Sequence, residues 1–448
     1  MEHLKKIFEK IDYNKCSFWL YLFGCYLICY FIFFDHPLEE YLFSDMKIYL
    51  RRAIYLLEGK NSPYNTFHTT GLAYIIAIDE KFFVKDKFYL TKTIFYFMSI
   101  LIPVMSGLAF QNIFNKKILW PIAAIIIFHF QLIGFSGYLM AEIPSSFFIT
   151  LILLIGSYYK NSFSFVKCLL LGLIFSLSLI FKGNIAFFLP SFILTFIFYN
   201  RSIGQKILSL KLFKPIFAIL ISITTFFLIY GGINKKFFGY FHPLGTVGGV
   251  NFYMAKCPKK KMIDSEGRNL ISPVHYQLGQ TDEVKFNEPF YNSKYFYLKA
   301  IKCLLDDPKR IFYAFNDLSH MFDGTYVWPL VMSKKYSQLV HWLQNFYALL
   351  VFPGFLIFLL IFFRGEAYRN IILTSLILGS LILPLVFVGD VRYRSVFDPI
   401  FMPGALLGWI HIGNSSLFGL KEDMMIKFCF FIYFLLCIIP VSYNILLV

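Results

Sequence analysis

Eleven stretches of the chain are apolar enough, or nearly so, to cross a hydrocarbon core: about 17–34, 90–110, 118–136, 143–159, 166–182, 185–200, 214–232, 345–363, 371–388, 396–412 and 426–447. A core about 30 Å thick takes roughly 20 apolar residues as helix, the form that satisfies every backbone polar group within its own segment. The pattern predicts an all-α polytopic membrane protein. Composition agrees: of 448 residues, 58% are hydrophobic and only 15% charged, whereas soluble domains are about half apolar and a quarter charged. Disordered, collagen-like and disulfide-scaffold classes are excluded, and a soluble globular protein is not expected.

The formal charge of +16 implies no nucleic-acid partner, because its placement follows topology. The first run comes after Lys5, Lys6, Lys10 and Lys15 and ends at Asp35-His36-Pro37 without a small-residue cleavage site. It reads as an uncleaved first helix with a cytoplasmic N-terminus. Counting spans from there, the short inner loops hold Lys116 and Lys117, then Lys160 and Lys167, then Arg201, Lys206, Lys211 and Lys214, then Arg364 and Arg369, and finally Lys421 and Lys427. Each is basic, as the positive-inside rule requires. Segments 35–89, 137–142, 233–344 and 389–395 fall outside.

The organisation expected is a membrane block at 1–232 with seven spans, an extracytoplasmic loop domain at 233–344, and a second block at 345–448 with four spans. Cys257 and Cys303 are the cysteines of the large outer segment, where an oxidising compartment permits a disulfide and two free thiols are the alternative. The sequence has no CxxC or HExxH motif and no zinc-finger spacing, so no protein-made zinc site is indicated.

In the first outer loop, Ser44 can cap a helix whose first turn holds Asp45 and which Gly59 can end; Met46, Tyr49, Leu50, Ala53 and Leu57 recur at helical spacing. This predicts an amphipathic helix at the outer membrane surface. The positive end of the helix dipole favours the ionised carboxylate of Asp45, which could accept a proton from an incoming hydroxyl. The plainer readings are that Asp45 serves the helix N-terminus or pairs with Arg52 about two turns on.

Ionisable residues also collect at the outer ends of spans, where lipid contact is costly for them. Glu142 opens the fourth span, Lys182 closes the fifth, and Arg392, Tyr393 and Arg394 precede the tenth. An arginine fork and a lysine point charge suit phosphate oxygens, and together they could hold a lipid-linked phosphate at headgroup depth. Snorkelling of Lys182 toward headgroups is the alternative. His242, just past the seventh span, is a weaker candidate, as are Tyr49 and Arg52 as site-lining residues.

Laid out in this order, the residues resemble the integral-membrane GT-C glycosyltransferases that use polyprenyl-phosphate sugars. The resemblance rests on Ser44-Asp45-Met46 with Tyr49, Ala53 and Glu58-Gly59, on Ser62-Pro63-Tyr64, on Ala141-Glu142-Ile143-Pro144, on Lys182, on Gly249-Val250-Asn251-Phe252-Tyr253 and on Arg392-Tyr393. It implies transfer of a sugar from a polyprenyl-monophosphate donor to an acceptor hydroxyl on the extracytoplasmic face, with Asp45 as base, Lys182 and Arg392 near the donor phosphate, and Glu142 as a weaker carry-over. Direct displacement by one carboxylate predicts inversion at the anomeric carbon, and the charge gained by the leaving phosphate would strengthen contacts from Arg392, with Arg394 and Lys182 in support. The acceptor would be a lipid, a glycan or a protein. The first loop lacks the Asp-x-Asp or Asp-Glu pair of protein O-mannosyltransferases, and the chain lacks the Trp-Trp-Asp-Tyr-Gly of oligosaccharyltransferase catalytic subunits. No cofactor is indicated, although a divalent metal stays open. A bacterial inner membrane is preferred over the endoplasmic reticulum, and oligomeric state is not encoded legibly. The rival readings are a transporter or lipid flippase and a ligase or polymerase using diphosphate-linked donors.

Overall fold

The computed structural model describes residues 12–36, 45–61, 66–83, 87–159, 162–202, 210–257, 261–270, 283–312, 337–365, 370–387 and 391–414, with isolated positions between them. Helix α1 (Tyr13–Tyr30) continues through a π turn at Phe31–Asp35. It is followed by α2 (Asp45–Glu58), α3 (Gly71–Phe82), α4 (Tyr89–Phe114), α5 (Leu119–Ile127), α6 (Phe130–Ser136), α7 (Glu142–Tyr159), α8 (Phe165–Leu179), α9 (Phe188–Ser202) and α10 (Leu210–Phe238). Next come α11 (Gly248–Lys256), strands β1 (Lys261–Ile263), β2 (Asn269–Leu270) and β3 (Glu283–Lys285), and α12 (Ser293–Asp306). The chain then forms α13 (Ser337–Phe346), α14 (Phe352–Arg364), α15 (Ile371–Val386), the short α16 (Val391–Ser395) and α17 (Asp398–Asn414).

The protein is a multi-pass, all-α membrane protein. Among the described residues, six helices are long and apolar enough to cross a membrane: Tyr13–Asp35, Tyr89–Phe114, Glu142–Tyr159, Gly183–Ser202, Phe213–Phe238 and Trp342–Arg364. The run expected at 118–136 is broken into α5 and α6, bent by 61°. His129 sits at the break in extended backbone geometry, which ends one helix and starts the next. The runs at 166–182 and 371–388 form shorter apolar helices of 15 and 16 residues. The run at 396–412 forms α17, and 426–447 lies outside the described residues.

One continuous core runs through the bundle, where Phe95, Ile149, Leu153, Phe175, Phe192 and Leu376 are buried. Helices α4 and α7, α8 and α10, α9 and α15, and α14 and α17 form its main packed pairs. The last pair is closest where a Cβ at Gly408 would stand only 2.1 Å from the Gly354 carbonyl oxygen, so neither surface tolerates a larger residue there.

Outside the bundle, β1 pairs antiparallel with β2 (Met262 opposite Leu270) and parallel with β3 (Met262 opposite Val284). A small core of Val250, Met262, Phe286, Phe290 and Phe296 joins sheet and helices, and Phe67, between α2 and α3, is inserted into it. A disulfide links Cys257, just past α11, to Cys303 on α12. Backbone bonds from Thr246 N to Thr66 O (2.8 Å) and from Val247 N to Phe67 O (2.9 Å) tie the α2–α3 connection to the start of α11.

Candidate active site

Helix α2 is amphipathic, and the face it buries carries Met46, Tyr49, Ala53 and also Arg52. A buried guanidinium needs acceptors, and Arg52 Nη1 finds them in the carbonyls of His68 (2.8 Å) and Thr69 (3.0 Å). Thr69 Oγ1 in turn donates to Phe181 O at 2.6 Å, and Gly71 N donates to Ile180 O at 2.9 Å. A Cβ at Gly71 would meet that Ile180 oxygen at 2.7 Å, so the absent side chain permits the approach. The α2–α3 connection is thereby pinned to the turn that carries Lys182.

Four residues from four separate parts of the chain then form one line of charges. Arg392, on α16, donates from Nη2 to Asp45 Oδ2 at 2.7 Å and from Nε to Glu142 Oε1. Lys182 Nζ donates to the same Glu142 oxygen at 2.9 Å and lies 5.1 Å from the centre of the Tyr393 ring. Asn251, on α11, reaches the Tyr393 hydroxyl at 3.5 Å. Glu142 is the floor of the arrangement, with 2% of its side chain accessible, against 18% for Asp45 and 19% for Arg392. Its Oε2 makes no hydrogen bond among the described residues.

Burial by itself disfavours an ionised Asp45, but Arg392, with His68 and Lys182 behind it, outweighs that penalty and holds the carboxyl at about 2. Burial likewise works against the Arg392 charge, and the carboxylates of Glu142 and Asp45 overcome it. Burial, then the Asp45 charge, pushes the Tyr49 hydroxyl up, so it stays protonated. The line is formally neutral, two cations against two carboxylates. An anion entering it can gain the cations only by taking them from Asp45 or Glu142.

His68 is the residue that sequence reasoning missed. Its Nε2 faces Asp45 Oδ1 at 3.8 Å, and its ring packs on Tyr49 and Phe67 at 5.7 and 4.8 Å between centres. Burial lowers its pKa to about 4, which leaves the imidazole neutral near neutral pH. The position in Phe-His-Thr-Thr, following a turn signal after an amphipathic helix, was the available clue.

Arg394 goes elsewhere. It is fully buried and pairs with Asp398 at 3.2 Å, donates to Met321 O (3.0 Å), Gln131 Oε1 (3.1 Å) and Gln344 Oε1 (3.4 Å), and lies over the Tyr347 ring at 3.8 Å. His129 Nε2 and the Tyr347 hydroxyl complete the shell of Asp398, at 2.7 and 2.5 Å. His242 is buried beside Phe238, its carbonyl accepting from Asn234 Nδ2 at 2.6 Å. Among the described residues, no group of three or more His, Cys, Asp or Glu is gathered to hold a metal ion.

The bundle of apolar helices and the broken helix pair define an all-α, multi-pass membrane protein. Among solved structures, the chain is similar to the apo oligosaccharyltransferase of Archaeoglobus fulgidus, at 12% identity with a TM-score of 0.51 over 96% of this chain and 55% of that one. It is also similar to oligosaccharyltransferase AglB of the same organism in complex with an inhibitory peptide and a dolichol-phosphate (10% identity, TM-score 0.48, 95% and 55% covered). The same organism's enzyme tethered to an acceptor peptide containing the NVT sequon gives 11% identity and a TM-score of 0.47, with 95% and 54% covered. The chain spans about half the length of these proteins. No protein-family model and no curated protein matches it.

Proposed function

We propose that the protein is a membrane glycosyltransferase that moves a sugar from a polyprenyl-monophosphate donor to an acceptor hydroxyl on the extracytoplasmic face. The observation that carries this reading is the meeting of Asp45, Arg392, Glu142 and Lys182, which come from four distant parts of the sequence. The shared fold with an oligosaccharyltransferase supports it.

In this reading eleven spans carry the chain, with the N-terminus cytoplasmic and α2 at the outer membrane surface. A bacterial inner membrane is the setting, and the outer segment around α11 and α12 selects among lipid, glycan or protein acceptors. The donor phosphate binds at Arg392 and Lys182, and the acceptor hydroxyl approaches Asp45, which draws its proton. The acceptor oxygen attacks the anomeric carbon while the sugar–phosphate bond breaks, and the configuration inverts. Charge builds on the leaving phosphate, so the Arg392 and Lys182 contacts strengthen in the transition state and lower the barrier. Drawing Arg392 toward the phosphate also weakens its hold on Asp45, and the carboxylate becomes a better base when donor is present. Arg394 has no part in donor binding, because its guanidinium is committed to Asp398.

The test is sugar transfer by purified protein in lipid, given radiolabelled polyprenyl-monophosphate sugars and a crude membrane acceptor, beside the Asp45→Asn variant. Transfer that vanishes in the variant is the expected result. Unimpaired transfer by correctly inserted Asp45→Asn protein removes Asp45 as the base.

A further inference from the structure

We propose that His68 is a second proton-handling residue of this centre: the proton that Asp45 draws from the acceptor hydroxyl passes to His68 Nε2. The proposal rests on the glycosyl-transfer reading above. Its first support is geometric. Arg392 engages Asp45 Oδ2, so Oδ1 is the oxygen left to meet an acceptor, and His68 Nε2 stands 3.8 Å from that atom. The separation is too long for a direct hydrogen bond and wide enough for a hydroxyl oxygen to sit within hydrogen-bond reach of both.

The second support is that Nε2 has no other work. It is buried and makes no hydrogen bond among the described residues, a condition that is costly unless a partner arrives. The ring is also held in place, by Arg52 on its own carbonyl and by the tilted Tyr49 and edge-on Phe67 rings packed against it. A fixed, neutral imidazole beside a carboxylate is suited to receive a proton and poorly suited to bind an anion.

The charged groups that face it are Asp45, Arg52, Arg392 and Glu142. Burial and the two arginines keep the ring neutral, whereas the two carboxylates favour its protonation. A proton left on Asp45 alone would rest on a strongly acidic group, and the imidazole beside it is the better holder. When the donor phosphate draws Arg392 away, the repulsion on His68 weakens and the Asp45 charge is freed to face it. Donor binding thus prepares the proton store before the acceptor reacts.

The acceptor O–H proton moves to Asp45 Oδ1 and then to His68 Nε2 through a water that bridges the 3.8 Å gap between them. The acceptor oxygen forms its bond to the anomeric carbon, and the electron pair of the broken C–O bond leaves with the prenyl phosphate. The imidazolium, paired with the restored Asp45 carboxylate, then releases its proton to water.

The experiment uses ¹⁵N-histidine-labelled full-length protein in phosphatidylcholine bilayers, with farnesyl monophosphate as the probe and the His68→Gln variant to assign the resonance. The apparent pKa of His68 should rise by about one unit or more on adding the probe, and the rise should disappear in Asp45→Asn. An unmoved pKa overturns the proposal whether or not any sugar is transferred. In the transfer assay, His68→Gln and His68→Asn should each lower kcat about 10- to 100-fold with donor KM nearly unchanged, and remove the acid limb of the pH profile. A retained limb with near wild-type kcat also overturns it. A phosphate-coupled His68 in a protein that transfers no sugar supports the coupling and instead sinks the glycosyl-transfer reading.

Discussion

Arg392 bonds Asp45 across 2.7 Å although the two residues are 347 positions apart in the chain. The same guanidinium also reaches Glu142, so a planar fork spans two carboxylates that a lysine point charge could not bridge. Arg392→Lys should therefore lower kcat/KM for the donor by about 10²- to 10³-fold, the usual cost of losing a donor aimed at developing charge. Release of prenyl phosphate from labelled donor measures it. A loss below about threefold would place the phosphate contact elsewhere.

Glu142 and Lys182 form a buried pair, with 2% and 10% of their side chains accessible. Removing one partner of such a pair strands the other charge and costs about 3–5 kcal/mol, whereas replacing both by apolar groups is often close to neutral. Glu142→Leu alone should lower the thermal transition markedly in detergent or nanodiscs. The double change to Glu142→Leu with Lys182→Met should recover most of that loss, because Arg392 and Asp45 still neutralise each other. Transfer activity should stay low in both. Recovery of activity in the double variant would assign Lys182 a purely structural role.

Much of this was legible from the sequence. Apolar run length predicted most of the bundle, and the early outer Asp45, Glu142, Lys182 and Arg392 were visible because charges at one end of hydrophobic runs have few structural excuses. Helix breaks were less visible. His129 lies inside a run that reads as one span, and the bend comes from its extended backbone and its bond to Asp398, neither of which has a local signal. Arg392 and Arg394 looked alike at a spacing of two, yet they face opposite sides of a helical turn, as 100° per residue requires. His68 was hidden because its place beside Asp45 depends on Arg52 and on a contact with Phe67, which have no local signal in the sequence.

His242 is one of the buried imidazoles, with His68, that set an acid limit on stability. Burial, with Arg52 adding to it, lowers its pKa from 6.5 to about 4, so between those values the unfolded chain binds a proton that the folded chain refuses. The stabilisation is present above pH 6.5 and is lost as pH falls toward 4, by about 3 kcal/mol in total. Asp45 adds a later loss, from its ordinary value near 3.8 down to about 2. His242→Phe should therefore flatten the fall of Tm between pH 7 and pH 4.5. An equally steep fall in the variant would assign the acid sensitivity to other groups.

The Cys257–Cys303 disulfide closes a loop with a sequence separation of 46. Loop-closure arguments give such a bond about 2–4 kcal/mol through the unfolded chain. Replacing both cysteines by serine should lower the thermal transition of the outer segment and expose β1 to β3 to limited proteolysis. The backbone ties at Thr246 and Val247 remain, so Phe67 and His68 should keep their places and basal transfer should persist. Proteolysis rates with and without reductant provide the check.

Arg394 acts on the candidate site through position alone. Its fork holds Asp398, Gln131, Gln344 and the Met321 carbonyl at once, and it lies two residues from Arg392 on a helix of five residues. A lysine there keeps the charge opposite Asp398 but loses the other contacts, so α16 should rock while the buried carboxylate stays paired. Arg394→Lys is expected to retain its fold and Tm within a few degrees, yet to raise donor KM about tenfold, a cost of about 1.4 kcal/mol. Arg394→Met should instead destabilise the protein by about 3–5 kcal/mol, because Asp398 is left buried without its cation. Measuring donor KM and Tm for both variants separates the two effects: a Lys variant with unchanged KM would show that Arg392 holds its position without help from its neighbour.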